Sequence, residues 1–239
     1  MVYIFSIEGN IGSGKSTLVS ELKKNLPSIN GISIVYVQEP VDVWEKIKDV
    51  NGETILEKFY ADQEKYSFSF QMMAYISRLS LLKNTIKNNP NAIIITERSV
   101  FTDKEVFAKM LYDDNKIEEI NYKIYLQWFN EFIDDIPIRG VMYVKTTPEK
   151  SKERVDFRSR QGEQIPLNYL QKCHQYHEEW IFTQFKKTLV FDGNKDFKSN
   201  LPPEWLNDIA KFISVEMRRS CRTVNELYST YLSTNMLGY

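Results

Sequence analysis

A glycine-rich stretch near the amino terminus constrains the fold of this chain more than any other part of it. Residues 9–16 read GNIGSGKS and fit the pattern G-x-x-x-x-G-K-[ST]. The apolar run at residues 3–7 is typical of a short buried strand, and residues 17–22 have helical spacing. A strand before the motif and a helix after it are the context that a phosphate-binding loop requires. A plain glycine turn is the alternative, and this context disfavours it.

The pattern predicts a role for each part of this glycine-rich loop. Glycines let the main chain wrap closely around a phosphate with its N–H groups inward, and the start of the helix adds partial positive charge. Lys15 is expected to reach the β- and γ-phosphates, and the Ser16 hydroxyl is expected to bind Mg²⁺. The residues predicted to bind a nucleoside triphosphate are Gly9, Asn10, Ile11, Gly12, Ser13, Gly14, Lys15, Ser16 and Thr17.

The overall composition argues against several other classes of protein. The chain has 31 basic and 32 acidic side chains and a net charge of -1, which offers no general attraction for a nucleic-acid backbone. No apolar run approaches the roughly 20 residues that a membrane-spanning helix needs. The first strand leaves no room for a targeting segment before it. Cys173 and Cys221 form no C-x-x-C pair. We therefore predict a cytoplasmic protein with no nucleic-acid or membrane partner.

Predicted strands and helices alternate along most of the chain. The predicted buried strands are residues 3–7, 32–37, 92–96, 140–145 and 188–191. Helical spacing separates them, most clearly over residues 63–86. This alternation predicts right-handed crossovers and a five-stranded parallel sheet flanked by helices, which is an α/β fold.

No linker interrupts this alternation, so residues 1–215 are predicted to form one domain. Residues 27–31 are predicted to form a turn, and residues 204–217 to form the last helix of the plan. Residues 216–239 are a carboxyl-terminal extension of unknown role. The sequence leaves open whether this extension is a docking helix or a loosely held tail.

Three charged residues follow the predicted strands at the edge of the sheet where ligands bind. Glu39 follows the second strand, and Glu97 and Arg98 follow the third. Phosphoryl transfer needs a base or orienting carboxylate, Mg²⁺ and positive charge over the transferring group. We predict that Glu39 is the base, that Glu97 lies near the metal and that Arg98 supplies the positive charge. The alternatives are a turn or capping carboxylate at Glu39 and a solvated acid at Glu97.

A basic segment, residues 154–166, follows the fourth predicted strand and is called the arginine segment below. It contains Arg154, Arg158 and Arg160, with Gly162 and Pro166 in a flexible stretch. In a triphosphate-binding protein this composition predicts an arginine-rich lid, whose charge can raise the rate on the order of 10³- to 10⁵-fold. A solvated helix face is the alternative.

Six short motifs occur in the order found in deoxynucleoside kinases. They are GNIGSGKST, Glu39-Pro40-Val41 with Trp44, YSFSFQ at residues 66–71, Glu97-Arg98-Ser99 with Asp103, the arginine segment, and Asp196-Phe197. The chain resembles the branch that contains deoxycytidine and deoxyguanosine kinases, over residues 2–213. This resemblance implies the P-loop kinase fold, an α/β fold with an arginine-rich lid. Apart from the glycine-rich loop, no single motif is diagnostic, so the resemblance depends on all six in order.

The resemblance implies a deoxynucleoside pocket around Glu39. This residue would take the proton of the 5′-hydroxyl, and Arg98 would bind near the same oxygen. Phe70 and Phe107 would sandwich the base, and Trp44 would line the pocket. Gln71, Arg78 and Asp103 would bind the edge of the base. Tyr60 and Glu163 would hold the 3′-hydroxyl.

The resemblance also implies a donor site and a base preference. Lys15, Ser16 and Glu97 would serve the triphosphate and Mg²⁺, and Asp196 with Phe197 would contact the donor adenine. The charged pair Arg78 and Asp103 implies deoxycytidine or a purine deoxynucleoside in preference to thymidine, whose kinases have smaller or apolar residues there. The alternatives are a salt bridge between helices for that pair and core packing for Phe70 and Phe107.

Two features depart from the family pattern. The arginine segment is one residue shorter than usual between Arg160 and Pro166, and it retains a single acid, Glu163. The carboxyl-terminal extension is the other. His174 and His177 have a spacing that places both on one helical face, but no third metal ligand has a motif spacing, so we predict structural or surface roles for them.

We therefore predict an ATP-dependent, Mg²⁺-dependent deoxynucleoside 5′-kinase of nucleotide salvage, and by resemblance a homodimer. A deoxynucleoside monophosphate kinase on the same fold is one alternative, but a carboxylate at Glu39 would repel an acceptor phosphate. A non-catalytic nucleotide-binding scaffold is another, which would be expected to lose Lys15, Glu39 or Arg98. All three residues are present.

Overall fold

A six-stranded sheet forms the centre of the computed structural model. The structure describes residues 2–133, 136–160, 162–185, 188–196 and 201–236. Residues 220–236 are described by their backbone alone. The strands are β1 (Tyr3–Glu8), β2 (Ser28–Ile29), β3 (Ile32–Val37), β4 (Ile93–Glu97), β5 (Ile138–Lys145) and β6 (Thr188–Asp192). Their spatial order is β2-β3-β4-β1-β5-β6, and the described pairs are parallel except β2 with β3.

The prediction of five strands was wrong by one. Residues 28–29, predicted as part of a turn, form β2, which pairs antiparallel with β3 through Ser28 and Ser33. Asn30 and Gly31 connect the two strands with φ angles of 51° and 79°. An Asn-Gly pair that adopts two positive φ angles is typical of a tight hairpin turn. A two-residue strand is too short to produce a hydrophobic pattern, so this dipeptide was the available signal.

Helices cover both faces of the sheet. They are α1 (Lys15–Asn25), α2 (Val41–Trp44), α3 (Ile55–Ala61), α4 (Gln63–Asn88), α5 (Val100–Thr102), α6 (Lys109–Asp113), α7 (Glu119–Ile133), α8 (Pro148–Arg158), α9 (Leu167–Gln184) and α10 (Pro203–Met236). A π-helical segment, Asp103–Ala108, joins α5 to α6. The long helix predicted at residues 63–86 is confirmed as α4, whereas α3 lies in a stretch that has no clear periodicity.

The burial of β1 explains why the strands have continuous apolar runs. Phe5 and Ile7 pack on one face against α1 and α10, and Ile4 packs on the other face against α4. A strand covered on both faces needs apolar residues at successive positions, in contrast to the alternation of a half-exposed strand. The predicted α/β fold with a mostly parallel sheet is therefore confirmed.

The final helix is longer than predicted. It begins at Pro203 and continues without interruption to Met236, whereas the pattern predicted residues 204–217. Ile209, Ile213 and Met217 bury their side chains in the same cluster as β1. The division of the chain at residues 215 and 216 therefore lies within a continuous helix, and the separate role of residues 216–239 stays a prediction. Among the described residues, no helix combines the length and apolar character needed to cross a membrane.

Candidate active site

A cleft of about 530 Å³ opens beside the carboxyl ends of β1, β3 and β4. One side is formed by the glycine-rich loop and the arginine segment, which we call the donor side. The other side is formed by α3, α4 and the π-helical segment, which we call the acceptor side. Ligands of open parallel sheets bind at this position, because strands end there and loops of neighbouring units converge.

The glycine-rich loop connects β1 directly to α1. Gly9 has a φ angle of 146°, and a Cβ atom at this position would lie 2.6 Å from the carbonyl oxygen of Val144. A larger residue at position 9 would therefore push the loop away from β5. Because α1 begins at Lys15, the unpaired N–H groups of its first turn lie at the cleft.

Lys15 is buried at the start of α1. Its Nζ donates a hydrogen bond to the carbonyl oxygen of Asn10 at 2.7 Å. Burial lowers the pKa of Lys15 to about 7, and the nearby positive charge of Arg98 acts in the same direction. The amine is therefore only partly protonated near neutral pH, and an anionic ligand would favour its charged form.

Ser16 and Glu97 meet between α1 and the end of β4. The hydroxyl of Ser16 donates to Glu97 Oε1 at 2.5 Å. Hydroxyl and carboxylate oxygens are the ligand types that Mg²⁺ prefers, and Mg²⁺ commonly binds through one or two carboxylates together with substrate phosphates. Within the described part of the chain, no group of three or more His, Cys, Asp and Glu side chains could hold a metal by itself.

Four charged side chains form one buried network on the acceptor side. Glu39 accepts hydrogen bonds from Arg98 Nη1 at 2.9 and 3.0 Å and from Arg78 Nη2 at 2.8 Å. Arg78 also donates to Asp103 through Nε at 2.9 Å and Nη2 at 3.3 Å. A sixth bond joins Arg78 Nη1 to the main-chain oxygen of Glu97 at 3.0 Å. One guanidinium group thus contacts both the predicted catalytic carboxylate and the predicted base-reading carboxylate.

The two carboxylates of this network have opposite pKa shifts. Burial would raise the pKa of Glu39, but the guanidinium groups of Arg98 and Arg78 outweigh it and hold the pKa far below its usual value. Burial raises the pKa of Asp103 to about 6, against the opposing effect of Arg78. Glu39 is therefore a carboxylate at any physiological pH, whereas the protonation of Asp103 depends on the balance between burial and the charge of Arg78.

Arg98 has an uncommon main-chain conformation. Its φ angle is 59°, in the left-handed region that disfavours residues other than glycine by roughly 1–2 kcal/mol. The N–H group of Arg98 donates to the carbonyl oxygen of Ile7 at 2.9 Å. Its guanidinium group lies 5.1 Å from the ring centroid of Phe107. Such a conformation persists only where surrounding contacts fix it, and it is common at functional sites.

Aromatic rings and one amide complete the acceptor side. Phe70 stacks on Phe59 with centroids 4.6 Å apart and meets Trp44 edge-on at 5.7 Å. Phe107 lines the same cleft from the π-helical segment. Gln71 is buried, and its Oε1 has no hydrogen-bond partner among the described residues. A flat apolar slot with an available polar acceptor suits a heterocyclic ring that has a hydrogen-bonding edge.

The arginine segment contacts both sides of the cleft. Arg154 donates to the carbonyl oxygen of Ser13 at 3.2 Å and to Asp196 Oδ1 at 2.8 Å. Glu163 pairs with Arg158 and lies 3.9 Å from Arg160 Nη1. The Glu163 side chain is only 4% exposed, so this single acid occupies the inside of the cleft. Tyr60, which lies in α3 on the acceptor side, has a raised pKa because of burial and the negative charge of Glu163.

Most residues predicted from the sequence line this cleft. They are Ile11, Gly12, Gly14, Lys15, Ser16, Thr17, Glu39, Trp44, Tyr60, Phe70, Gln71, Arg78, Glu97, Arg98, Asp103, Phe107, Arg154, Arg158, Arg160 and Glu163. Gly9, Asn10 and Ser13 belong to the glycine-rich loop but do not line the cleft. Asp196 is exposed, pairs with Arg154 and Lys150, and does not line it either. Phe197 lies outside the described residues.

The sequence missed several parts of the site. Tyr169, Phe59 and Leu56 line the cleft, but nothing in their spacing distinguishes them from core residues. The π-helical segment, which carries both Asp103 and Phe107, was also missed. No pattern in the sequence signals this wider turn. His177 is buried, its Nδ1 donates to the carbonyl oxygen of Cys173 at 2.6 Å, and its ring contacts Phe107 edge-on. This packing gives His177 a structural role, one of the two roles predicted for the histidines.

Known proteins match this chain over most of its length. The family model described as "Deoxynucleoside kinase" matches residues 5–214. The chain is 36% identical to the "probable deoxycytidine kinase" of fowlpox virus, over 87% of each protein. It is 34% identical to the deoxycytidine kinase of Bos taurus, over 81% of this chain and 84% of that protein. The mitochondrial deoxyguanosine kinase of Xenopus laevis is 29% identical, over 82% of this chain and 83% of that protein.

Proposed function

We propose that this chain, which belongs to the deoxynucleoside kinase family, transfers the γ-phosphoryl group of ATP to the 5′-hydroxyl of a deoxynucleoside in the cleft. The family and the relatives make it a phosphotransferase that acts on nucleoside hydroxyl groups in nucleotide salvage. The observation that carries our assignment of the site is Glu39, a carboxylate held by two arginines at the cleft beside the glycine-rich loop.

Glu39 receives the proton of the 5′-hydroxyl in this proposal. Its low pKa makes it a weak base in the free enzyme, so its first task is to orient the hydroxyl as a hydrogen-bond acceptor. A weak base is sufficient for a loose transition state of phosphoryl transfer, because the proton leaves only when the new oxygen–phosphorus bond is well advanced. Arg98 balances the charge of Glu39 and contributes positive charge beside the accepting oxygen.

The donor side would bind the triphosphate through charge and main-chain N–H groups. Lys15 would contact the β- and γ-phosphates, and Arg154, Arg158 and Arg160 would bind them from the arginine segment. The Ser16 hydroxyl and the Glu97 carboxylate fit Mg²⁺ as oxygen ligands and would hold it. When bound, Mg²⁺ supplies neutralisation of the phosphate charge. Asp196 and Phe197 remain the predicted contacts of the donor adenine.

The acceptor side would select the base. Phe70 and Phe107 would enclose its faces, while Gln71, Arg78 and Asp103 would bind its edge. The unpartnered Gln71 oxygen supports this role, because a buried acceptor without a partner is costly and a base amino group would satisfy it. We propose a preference for deoxycytidine or purine deoxynucleosides over thymidine. Tyr60 and Glu163 would hold the 3′-hydroxyl.

Exposed apolar side chains on α4 and α7 support a homodimer. They are Ile76, Leu81, Ile120, Ile124, Trp128 and Phe132. Apolar side chains grouped on neighbouring helices are costly in water and mark association surfaces. Sedimentation velocity should give a dimer, and replacing Trp128 by a charged residue should shift the protein toward monomer. A monomeric wild-type protein at micromolar concentration would contradict this part of the proposal. The cytoplasmic location stays a prediction.

Turnover of the four deoxynucleosides with ATP and Mg²⁺ tests the proposed function directly. We expect phosphorylation of at least one deoxynucleoside and no phosphorylation of deoxynucleoside monophosphates, because Glu39 would repel an acceptor phosphate. The reverse preference would favour a monophosphate kinase. Absence of turnover with all acceptors, despite ATP binding, would favour a non-catalytic nucleotide-binding protein.

Glu39→Gln separates the proposed proton acceptor from a structural carboxylate. The amide can still accept a hydrogen bond, so deoxynucleoside binding should persist while kcat falls about 10²- to 10⁴-fold. Glu45→Gln is a matched control, because Glu45 is an exposed acid near the same chain segment and does not line the cleft. An unchanged kcat in Glu39→Gln would remove the assignment.

A further inference from the structure

Glu8 is a fully buried carboxylate to which the proposed mechanism gives no role. It is the last residue of β1 and immediately precedes the glycine-rich loop. Its Oε2 accepts a hydrogen bond from the hydroxyl of Thr102 at 2.6 Å, and its Oε1 has no partner among the described residues. A buried carboxylate with one unpaired oxygen is costly, because burial removes the water that would stabilise its charge.

The contact with Thr102 fixes the start of the helix that leads into the acceptor side. The Thr102 hydroxyl donates its single proton to Glu8, so its lone pairs are free to accept from the N–H group of Ser99 at 3.2 Å. The Ser99 hydroxyl in turn accepts from the N–H group of Thr102 at 3.4 Å. This reciprocal cap begins α5, and the π-helical segment with Asp103 and Phe107 follows directly.

Three consecutive residues, the last two of β1 and the first of the glycine-rich loop, accept hydrogen bonds from Arg98 and Thr102. The carbonyl oxygen of Ile7 accepts from the N–H group of Arg98, Glu8 accepts from Thr102, and the carbonyl oxygen of Gly9 accepts from Arg98 Nη2 at 3.4 Å. Arg98 has a left-handed main-chain conformation, which needs such external contacts to persist. Ser99, the next residue, is fixed through Thr102 by Glu8.

We propose that Glu8 is a positioning residue for phosphoryl transfer, which keeps the segment carrying Arg98, Asp103 and Phe107 in register with the glycine-rich loop. This inference deepens the proposed function and rests on it. The loop would bind the donor phosphates, and the segment would bind the acceptor nucleoside and the oxygen that attacks. A small displacement of one reactant relative to the other lowers the rate of transfer. A buried hydrogen bond between the glycine-rich loop's strand and this segment should therefore affect turnover directly.

Two pairs of variants test this role. Glu8→Met and Thr102→Val each remove the hydrogen bond and keep a similar side-chain size, whereas Glu8→Gln and Thr102→Ser keep an acceptor and a donor. We expect the first two to lower kcat about 10- to 100-fold and the second two to stay within about threefold of wild type. The KM for ATP should change by less than about twofold, because the loop itself is intact.

A double variant and two controls separate positioning from general destabilisation. Glu8→Met with Thr102→Val should be no slower than the slower single variant, since both remove the same bond. Ser6→Ala alters the buried residue two positions earlier on the same face of β1 and should keep wild-type kcat. Leu22→Ala destabilises the core on the opposite face of the sheet and should lower the unfolding temperature without lowering kcat in the folded protein.

Several outcomes would overturn the proposal while leaving the proposed function intact. A folded Thr102→Val with wild-type kcat would do so, as would multiplicative losses in the double variant or a Glu8→Gln variant as slow as Glu8→Met. If Glu8→Met does not fold, the comparison of Thr102→Val with Thr102→Ser still decides the question. If the wild-type protein phosphorylates no deoxynucleoside, it is the proposed function that fails.

Discussion

The donor side and the acceptor side of the cleft are built in different ways. The glycine-rich loop on the donor side is one continuous stretch of eight residues, and Arg154 of the arginine segment beside it makes an exposed ion pair with Asp196. The acceptor side joins Glu39, Arg78, Arg98 and Asp103 from three separate parts of the chain in a network that is nearly inaccessible to water. The donor side therefore depends on main-chain geometry, and the acceptor side depends on mutual neutralisation of buried charge.

This difference predicts how each side responds to substitution. Exposed ion pairs contribute little to stability, because water screens them and ordering the side chains costs entropy. Removing one member of a buried network leaves an uncompensated charge, which is strongly destabilising. Substitutions on the acceptor side should therefore affect stability and activity together, whereas those in the exposed part of the donor side should affect nucleotide binding alone.

The largest expected effect is at Arg98. Arg98→Met would remove the charge beside the accepting oxygen and one of the two guanidinium groups that hold Glu39. We expect kcat to fall on the order of 10³-fold or more, with little rescue in Arg98→Lys, because an ammonium group cannot reproduce the planar fork. Steady-state kinetics with the preferred deoxynucleoside would check this. A loss confined to KM would show that Arg98 binds substrate without acting in transfer.

A second large effect is expected where Arg78 meets Asp103. Arg78→Met alone or Asp103→Ala alone should destabilise the protein by about 3–5 kcal/mol, because each leaves a buried charge without its partner. The double variant should be more stable than either single variant, and it should use thymidine better relative to deoxycytidine. Denaturant unfolding and the ratio of kcat/KM values measure the two effects. Additive destabilisation would contradict the coupling of this pair.

An intermediate effect involves the protonation of Lys15. Because its pKa is about 7 in the free protein, about half of the amines are neutral at pH 7, and a bound triphosphate should raise that pKa. ATP binding between pH 7 and 8 should therefore take up a proton, in a fraction that increases as the pH rises above 7. Calorimetry in buffers of different ionisation enthalpy measures this uptake. Lys15→Met should abolish it, and equal heats in all buffers for the wild type would contradict it.

The smallest effect is expected at Asp196. Its carboxylate is exposed, and hydrogen bonds from Lys150 and Arg154 lower its pKa to about 2. Asp196→Asn should leave the unfolding temperature unchanged within error and alter the KM for ATP by no more than about tenfold, with the KM for the deoxynucleoside unaffected. A marked loss of stability would show that the donor side is not as independent as the exposed ion pairs indicate.

Several features of this site are predictable from sequence because they are local. The glycine-rich loop, Lys15 and Ser16 follow from one motif, and the strand ends before Glu39 and Glu97 follow from apolar runs. The structure confirms that these segments meet at one edge of the sheet. By contrast, β2 and the π-helical segment were missed, since a two-residue strand and a single widened turn leave no periodic pattern.

The sequence by itself determined the α/β alternation, the glycine-rich loop and the charged residues at the strand ends, because each is a property of neighbouring residues. Only the tertiary structure decided that Arg78 bridges Glu39 and Asp103, that Glu8 binds Thr102 across 94 positions, and that Arg98 adopts a left-handed conformation. These contacts join residues far apart in the chain. Their strength comes from exclusion of water, which depends on how distant segments pack and leaves no local pattern in the sequence.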